Sequence, residues 1–131
     1  MDYGKGDRRV YNLFDFPFEE LTGEHCYEEF YNQEGLNFAW HITPNKIYSR
    51  RIWEKAVVEY RKIQKHLIMT EDFAFSNVLF YYAQKVTKLN RVAFFYTKHD
   101  GASTSVNDIT FKKASKNLED LTTSFSFVEN F

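Results

Sequence analysis

Cysteine is almost absent from this sequence of 131 residues, in which Cys26 is the single thiol. One cysteine forms neither an internal disulfide nor a Cys-x-x-Cys pair, so the sequence is not that of a disulfide-stapled secreted domain. It is consistent with a reducing compartment. Internal repeats and low-complexity segments are also missing, which excludes repeat architectures.

An excess of charge and a long apolar run are missing too. Seventeen basic residues face eighteen acidic ones, for a net charge of −1. Nucleic acids and acidic membrane surfaces attract basic faces, so we expect no nucleic-acid partner. No segment approaches the roughly 18 apolar residues of a membrane span, and none of signal-peptide length opens the chain. We therefore expect a cytoplasmic protein.

Aromatic residues are abundant, with fourteen Phe, nine Tyr and two Trp making up 19% of the chain. They occur in runs such as Phe14 to Phe18 and Phe94 to Tyr96. An aromatic core is one interpretation. The other is that some rings face a missing domain, a lipid-linked substrate or a sugar, and an exposed aromatic surface of that kind favours homo-oligomers.

Length and periodicity predict one α+β domain of about four helices and a few short strands. Residues 1–20 are predicted to be an N-terminal tail or linker, with a short strand over Arg9 to Phe14, and residues 21–131 the folded part. Thr22 opens the first predicted helix and Gly35 ends it. Residues 36–48 have neither a helical nor a strand period and are predicted to be irregular, with at most a short strand around Lys46 to Tyr48.

Caps and apolar spacing predict a second and a third helix. Ser49 is predicted to cap the second, which buries Ile52, Trp53, Ala56 and Val57. Thr70 is predicted to cap the third, in which apolar residues recur at helical spacing: Phe75, Val78, Leu79, Tyr82 and Val86.

A strand is predicted from Leu89 to Thr97, followed by a last helix from Asn107. The apolar face of that helix is predicted to consist of Phe111, Ala114, Leu118, Leu121, Phe125 and Val128. No Gly or Pro closes this helix before Phe131, which indicates a piece of a longer protein.

Four stretches form an ordered set: Leu21-Thr22-Gly23-Glu24, Asn45-Lys46-Ile47-Tyr48-Ser49-Arg50-Arg51, Thr70-Glu71-Asp72-Phe73-Ala74-Phe75, and Lys85-Val86 through Phe94-Phe95-Tyr96-Thr97-Lys98-His99 to Ser103. In this order and spacing they resemble the second half of the GT-A domain of bacterial family 2 glycosyltransferases. The resemblance implies an α/β fold, seen here as its C-terminal, acceptor-side half without the nucleotide-binding sheet. As an isolated fragment, that half is α+β.

The activity that the resemblance implies is inverting transfer of a sugar from a nucleotide-sugar donor to the hydroxyl of a carbohydrate or lipid-linked acceptor. Synthesis of a bacterial cell-surface polysaccharide is the implied setting. The implied location is the cytoplasm, including peripheral attachment at the inner face of the membrane. Asp72 stands where the family has its catalytic base, with Glu71 as its partner. On the residues alone, an acidic first turn also serves simply to complement the helix dipole.

Other residues take roles from the same resemblance, each beside a structural alternative. Asn45 and Lys46 lie in the motif that borders the acceptor pocket in the family. The structural alternative is that Asn45 hydrogen-bonds the backbone of a loop and Lys46 is a solvated surface cation. Trp40 either stacks on an acceptor sugar or packs in the core. His99 and Arg50 are assigned to the donor diphosphate, although a lone histidine is more often a surface residue.

The donor half of the family carries an Asp-x-Asp motif that holds a metal ion on the nucleotide diphosphate. No Asp-x-Asp occurs in this sequence. We therefore expect no metal site and no cofactor in this chain, with Mg or Mn belonging to the full-length enzyme, and we expect the chain alone to be inactive. The alternative function is a small non-catalytic α+β module that binds another protein.

Overall fold

A computed structural model describes residues 18–32, 38–89 and 110–131 of the chain. Within these ranges it contains four helices of eight residues or more, a one-turn helix and two strands. In chain order they are β1 (Glu20–Thr22), α1 (His25–Asn32), α2 (Phe38–His41), α3 (Arg50–Tyr60), α4 (Glu71–Tyr82), β2 (Lys85–Thr87) and α5 (Phe111–Glu129). The predicted α+β class is confirmed.

The α4 helix lies at the centre and packs against α1, α2, α3 and α5. Its sequence after the first turn is apolar on more than one side, and a helix of that kind is stable only when it is surrounded. Its buried residues are Phe73, Ala74, Ser76, Asn77, Val78, Leu79 and Phe80. All four of the other described helices thus pack against this one segment.

Two apolar clusters form on opposite sides of α4. The first joins Phe73 and Phe80 to Phe30 of α1 and Trp40 of α2. Its rings meet edge to face or tilted, with centroids of Trp40 and Phe80 4.6 Å apart, as aromatic quadrupoles prefer. The second cluster joins Val78 and Leu79 to Ala56 of α3.

The two strands form an antiparallel pair in which Leu21 faces Val86. Gly23 follows β1 with a positive φ of 62°, and its N–H donates to the Gln84 carbonyl at 2.9 Å. Glycine suits this left-handed turn because it has no Cβ. Two predictions are therefore wrong: Thr22 lies in β1 instead of capping a helix, and Val86 lies in β2 instead of α4.

Helix α3 begins as predicted, because the Ser49 hydroxyl accepts the N–H of Ile52 at 3.4 Å. Ala56 is buried, but Trp53 is exposed, so the predicted buried face is only partly right. Residues 42–48 form the predicted irregular loop, without a strand at Lys46 to Tyr48. Their polar side chains bond within that loop. The prediction is wrong for α2, which lies within the stretch predicted to be irregular.

The face predicted to be buried on α5 is also wrong at several positions. Phe111 is 91% exposed and Leu118 is 65% exposed, and Phe125 is exposed as well. The buried residues of α5 are Asp120 and Ser124. The backbone N–H groups of Ile68 and Met69 need an acceptor, and Asp120 supplies it, so hydrogen bonding helps to hold this side of α5 inward.

Some predictions fall outside the described residues. They are the strand over Arg9 to Phe14, the helix stop at Gly35, the helix start at Asn107 and nearly all of the strand from Leu89 to Thr97. Among the helices that the structure describes, none is long and apolar enough to cross a membrane.

The packing around α4 leads to a stability prediction. Leu79 is 1% exposed, so Leu79→Ala leaves a cavity and is expected to lower the free energy of unfolding by about 2–5 kcal/mol. Leu118→Ala is the matched control, because this side chain is 65% exposed and its loss is expected to cost less than about 0.5 kcal/mol. Urea unfolding followed by circular dichroism measures both, and equal losses would contradict the packing described.

Candidate functional site

Asp72 lies in the first turn of α4, where it meets the loop that follows α2. The Thr43 hydroxyl donates to Asp72 Oδ1 at 2.5 Å. A hydroxyl donor stabilises the ionised form of a carboxylate. The carboxylate is thus held through Oδ1 by the loop that follows α2.

The loop over residues 42–48 is folded by its own polar groups. Lys46 Nζ donates to the Ile42 carbonyl and, at 2.7 Å, to Asn45 Oδ1. The Tyr48 hydroxyl donates to the Thr43 carbonyl at 3.2 Å. Residues predicted to bind the acceptor, Asn45 and Lys46, are therefore in the same loop that contacts Asp72.

Lys46 is a partly buried cation. Its Nζ lies 5.9 Å from the centroid of the Phe80 ring. Burial lowers the pKa of Lys46 to about 7, although the nearby Asp72 carboxylate opposes this shift. The amine therefore changes charge close to neutral pH, and a phosphate or carboxylate placed beside it would favour the charged form.

Burial also changes the acid–base chemistry of the groups around Asp72. It raises the pKa of Glu71, and the negative charges of Asp72 and Asp120 add to that increase. The pKa of the Tyr48 hydroxyl is raised by burial and then by Asp72, and the pKa of Tyr60 is raised by burial and then by Glu71 and Asp72. Both phenols remain protonated donors at neutral pH.

Thr70 occupies the N-cap position of α4, as predicted, but its side chain does not cap the helix. Its backbone is left-handed, with φ 63° and ψ 10°. This conformation costs a non-glycine residue on the order of 1–3 kcal/mol. The hydroxyl is directed instead toward the Met69 carbonyl at 2.5 Å and the Ser124 hydroxyl at 2.9 Å.

His41 is the residue near the site that the sequence did not indicate. Its ring is 8% exposed and contacts Phe30 and Phe73, with centroids 4.8 and 5.1 Å away. Burial, and then the charge of Lys46, lower the pKa of His41 to about 4, which keeps the ring neutral. Neither ring nitrogen has a hydrogen-bond partner in the described part of the chain. A lone histidine without ligand spacing gave no signal for this placement.

The remaining predicted site residues are placed elsewhere. Trp40 is buried against Phe80 and Phe18, which favours core packing over stacking on an acceptor. Arg50 is on an exposed face of α3 and pairs with Glu54 at 2.7 Å. His99 lies outside the described residues.

No family model, curated protein or solved structure matches this chain. The site is therefore characterised by its own geometry. Over the described ranges, no group of three or more His, Cys, Asp or Glu side chains is arranged to hold a metal ion. The site thus consists of the hydrogen-bonded carboxylate of Asp72, the carboxyl of Glu71 with its raised pKa and Lys46, whose pKa is lowered to about 7.

The charge of Asp72 gives a direct test of this geometry. Asp72→Asn removes the charge that raises the pKa of Lys46, so the lysine pKa is expected to fall below about 7. Titration of the lysine side-chain signals by NMR measures the change. Glu54→Gln, on the exposed side of α3, is the matched control and is expected to leave Lys46 unchanged. An unchanged Lys46 in Asp72→Asn would show that the two groups do not interact.

Glu71 is expected to reduce the stability of the fold at neutral pH. Because its folded pKa is raised above 4.5, the ionised form is disfavoured in the folded state, and the destabilisation is complete above the folded pKa. Glu71→Gln should therefore raise the melting temperature at pH 7, and the gain should vanish below about pH 4.5. Thermal unfolding across this pH range, with Glu54→Gln as the reference, tests it; a gain that persists in acid would point to another cause.

Proposed function

We propose that this chain is the acceptor-side part of an inverting family 2 glycosyltransferase, with Asp72 as the base that activates the acceptor hydroxyl. The setting is the synthesis of a bacterial cell-surface polysaccharide, in the cytoplasm or at the inner face of the membrane. The donor is a nucleotide sugar, and the acceptor is a carbohydrate or a lipid-linked saccharide.

The observation that carries this proposal is the contact between Thr43 and Asp72. It joins the helix start that contains Asp72 to the loop that contains Asn45 and Lys46, and these are two of the four stretches on which the resemblance rests. The first and fourth stretches also come together, since Leu21 pairs with Val86 across the two strands. Stretches that are far apart in the sequence thus adjoin in pairs.

The chemistry proposed for Asp72 is general base catalysis. As the acceptor oxygen attacks the anomeric carbon, its proton passes to the Asp72 carboxylate, and the bond from that carbon to the nucleoside diphosphate breaks. The Thr43 hydroxyl fixes the carboxylate through Oδ1, and Oδ2 is proposed to take the proton of the acceptor. The position at the start of a buried helix keeps the carboxylate rigidly aimed.

Lys46 and Tyr48 are proposed to complete the acceptor side. Lys46 would bind an anionic or polar group of the acceptor, and such a ligand would shift the amine toward its charged form. Tyr48, kept protonated by its raised pKa, donates to the Thr43 carbonyl and is proposed to hold the residue that bonds the base. Neither role requires a metal ion.

Donor binding is proposed to require residues other than those described. The family's metal-binding Asp-x-Asp motif is not in this sequence. Among the residues that the structure describes, no three His, Cys, Asp or Glu side chains are grouped to bind a metal ion. Magnesium or manganese is therefore assigned to the full-length enzyme.

An interaction module is the second candidate, and a specific observation favours it. Several aromatic side chains are exposed on the described surface: Tyr31, Trp53, Tyr81, Phe111, Phe125 and Phe131. The rings of Tyr81 and Phe131 adjoin, with centroids 4.9 Å apart, and adjoining exposed rings are typical of surfaces that bind another protein or a second copy. On this alternative, the acidic first turn of α4 has no catalytic role.

Substitution of the two carboxylates distinguishes these candidates. In the complete transferase that the proposal requires, Asp72→Asn is expected to lower kcat by about 10²–10⁴-fold, the usual contribution of a general base. Glu71→Gln is the matched neighbour, and a smaller loss is expected there because Asp72 takes the proton. Transferase activity measured with a nucleotide sugar and a saccharide acceptor is the readout.

The outcomes of that assay separate clearly. Full activity in Asp72→Asn contradicts Asp72 as base. A large loss in Glu71→Gln alone transfers the role to Glu71, whose raised pKa also suits an acid or base. If no sugar transfer to any saccharide acceptor is detected in a complete protein, the interaction module is favoured.

A further inference from the structure

The segment that leads into α4 is held by one face of α5. Lys116, Asp120 and Ser124 occur at intervals of four along that helix, so they lie in a row on the same side. All three bond the segment from His66 to Thr70. This row is therefore the contact between α5 and the start of the candidate site.

Asp120 is the centre of the row. Its Oδ2 accepts the N–H of Ile68 at 2.9 Å and the N–H of Met69 at 3.3 Å. Lys116 pairs with Oδ1 and also donates to the His66 carbonyl at 3.2 Å. A fully buried carboxylate persists only when it is paired and hydrogen-bonded in this way.

The segment held in this way ends at the strained residue Thr70. Its left-handed backbone is one that surrounding contacts must impose on a β-branched residue. Those contacts are the two N–H groups fixed by Asp120 just before it and the hydroxyl of Ser124. The Thr70 carbonyl then accepts the N–H of Ala74 at 3.1 Å, so its conformation sets the direction of the first turn.

We propose that Asp120 and Ser124 are positioning residues for the candidate site. They hold Thr70 in the left-handed conformation, and this aims Glu71 and Asp72 at the loop over residues 42–48. The catalytic meaning of this arrangement rests on the proposed function. The positioning itself is a property of the chain and is measurable without any substrate.

The test is a rescue experiment on the full chain. Ser124→Ala removes the hydroxyl that Thr70 contacts, so Asp72 is expected to move from the loop and the pKa of Lys46 to fall, by no more than in Asp72→Asn. Thr70→Gly combined with Ser124→Ala is expected to restore the Lys46 titration, because glycine adopts the left-handed conformation without help. Ser126→Ala, on the exposed side of α5, is the matched control and should change nothing.

A merely structural role for Ser124 predicts a different pattern. It would lower the melting temperature while leaving the Lys46 titration unchanged, and glycine at position 70 would rescue nothing. That result overturns the proposal. NMR titration of the lysine side chains, together with thermal unfolding, separates the two patterns.

A second pair of variants covers the case in which Ser124→Ala does not fold. Thr70→Ala keeps the backbone strain but loses the hydroxyl, whereas Thr70→Gly loses the hydroxyl and the strain together. Thr70→Ala is expected to lower the pKa of Lys46 and Thr70→Gly to leave it unchanged. Equal titrations in the two variants overturn the proposal.

Failure of the positioning and failure of the proposed function give different results. If Ser124→Ala shifts Lys46 and glycine restores it, the positioning stands even where Asp72→Asn keeps full transferase activity, and only the assignment of the base fails. If the pKa of Lys46 is the same in the Ser124 and Thr70 variants as in the unchanged chain, the positioning proposal fails whatever the activity assay shows.

Discussion

Burial of α4 on two opposite sides is the constraint on which the rest of this structure depends. Phe73 and Phe80 need apolar partners on one side, and Val78 and Leu79 need them on the other. Four helices supply those partners, so most of α4 between its two ends is buried. In its first turn, Glu71 and Asp72 are only partly buried. The candidate site thus lies where the core helix begins.

Placing carboxylates at the edge of such a core has an electrostatic cost. Burial and the neighbouring acids raise the pKa of Glu71, while Lys46 loses hydration in the same region. The hydroxyl of Thr43 offsets part of this cost for Asp72. Groups that are unfavourable for stability and yet rigidly held are typical of functional sites.

Local signals predicted the parts of the fold that depend on neighbours in the sequence. Ser49 begins α3, and the acidic pair after Thr70 begins α4, because caps and helix dipoles act within one turn. The apolar spacing of Phe75, Val78 and Leu79 likewise identified the central helix.

The errors lie where a distant segment decides the structure. Val86 fits a helical spacing, yet its pairing with Leu21 places it in a strand, and no local pattern contains that information. Asp120 turned inward to accept two backbone N–H groups. Of the candidate site, Asp72 and Lys46 were identified through the resemblance, whereas the burial of His41 and the backbone of Thr70 depend on tertiary contacts.

The polar row on α5 changes how substitutions in this chain should be ranked. A scale based on hydrophobicity treats Asp120 and Ser124 as tolerant surface positions and the apolar residues of α5 as its core. The fold departs from that order, because Asp120 accepts two backbone N–H groups of the connecting segment while Phe111 faces outward. The hydrogen-bond acceptors therefore rank beside Phe127 and Val128, which pack against the core clusters, and a leucine of similar size at position 120 would leave two amides without partners.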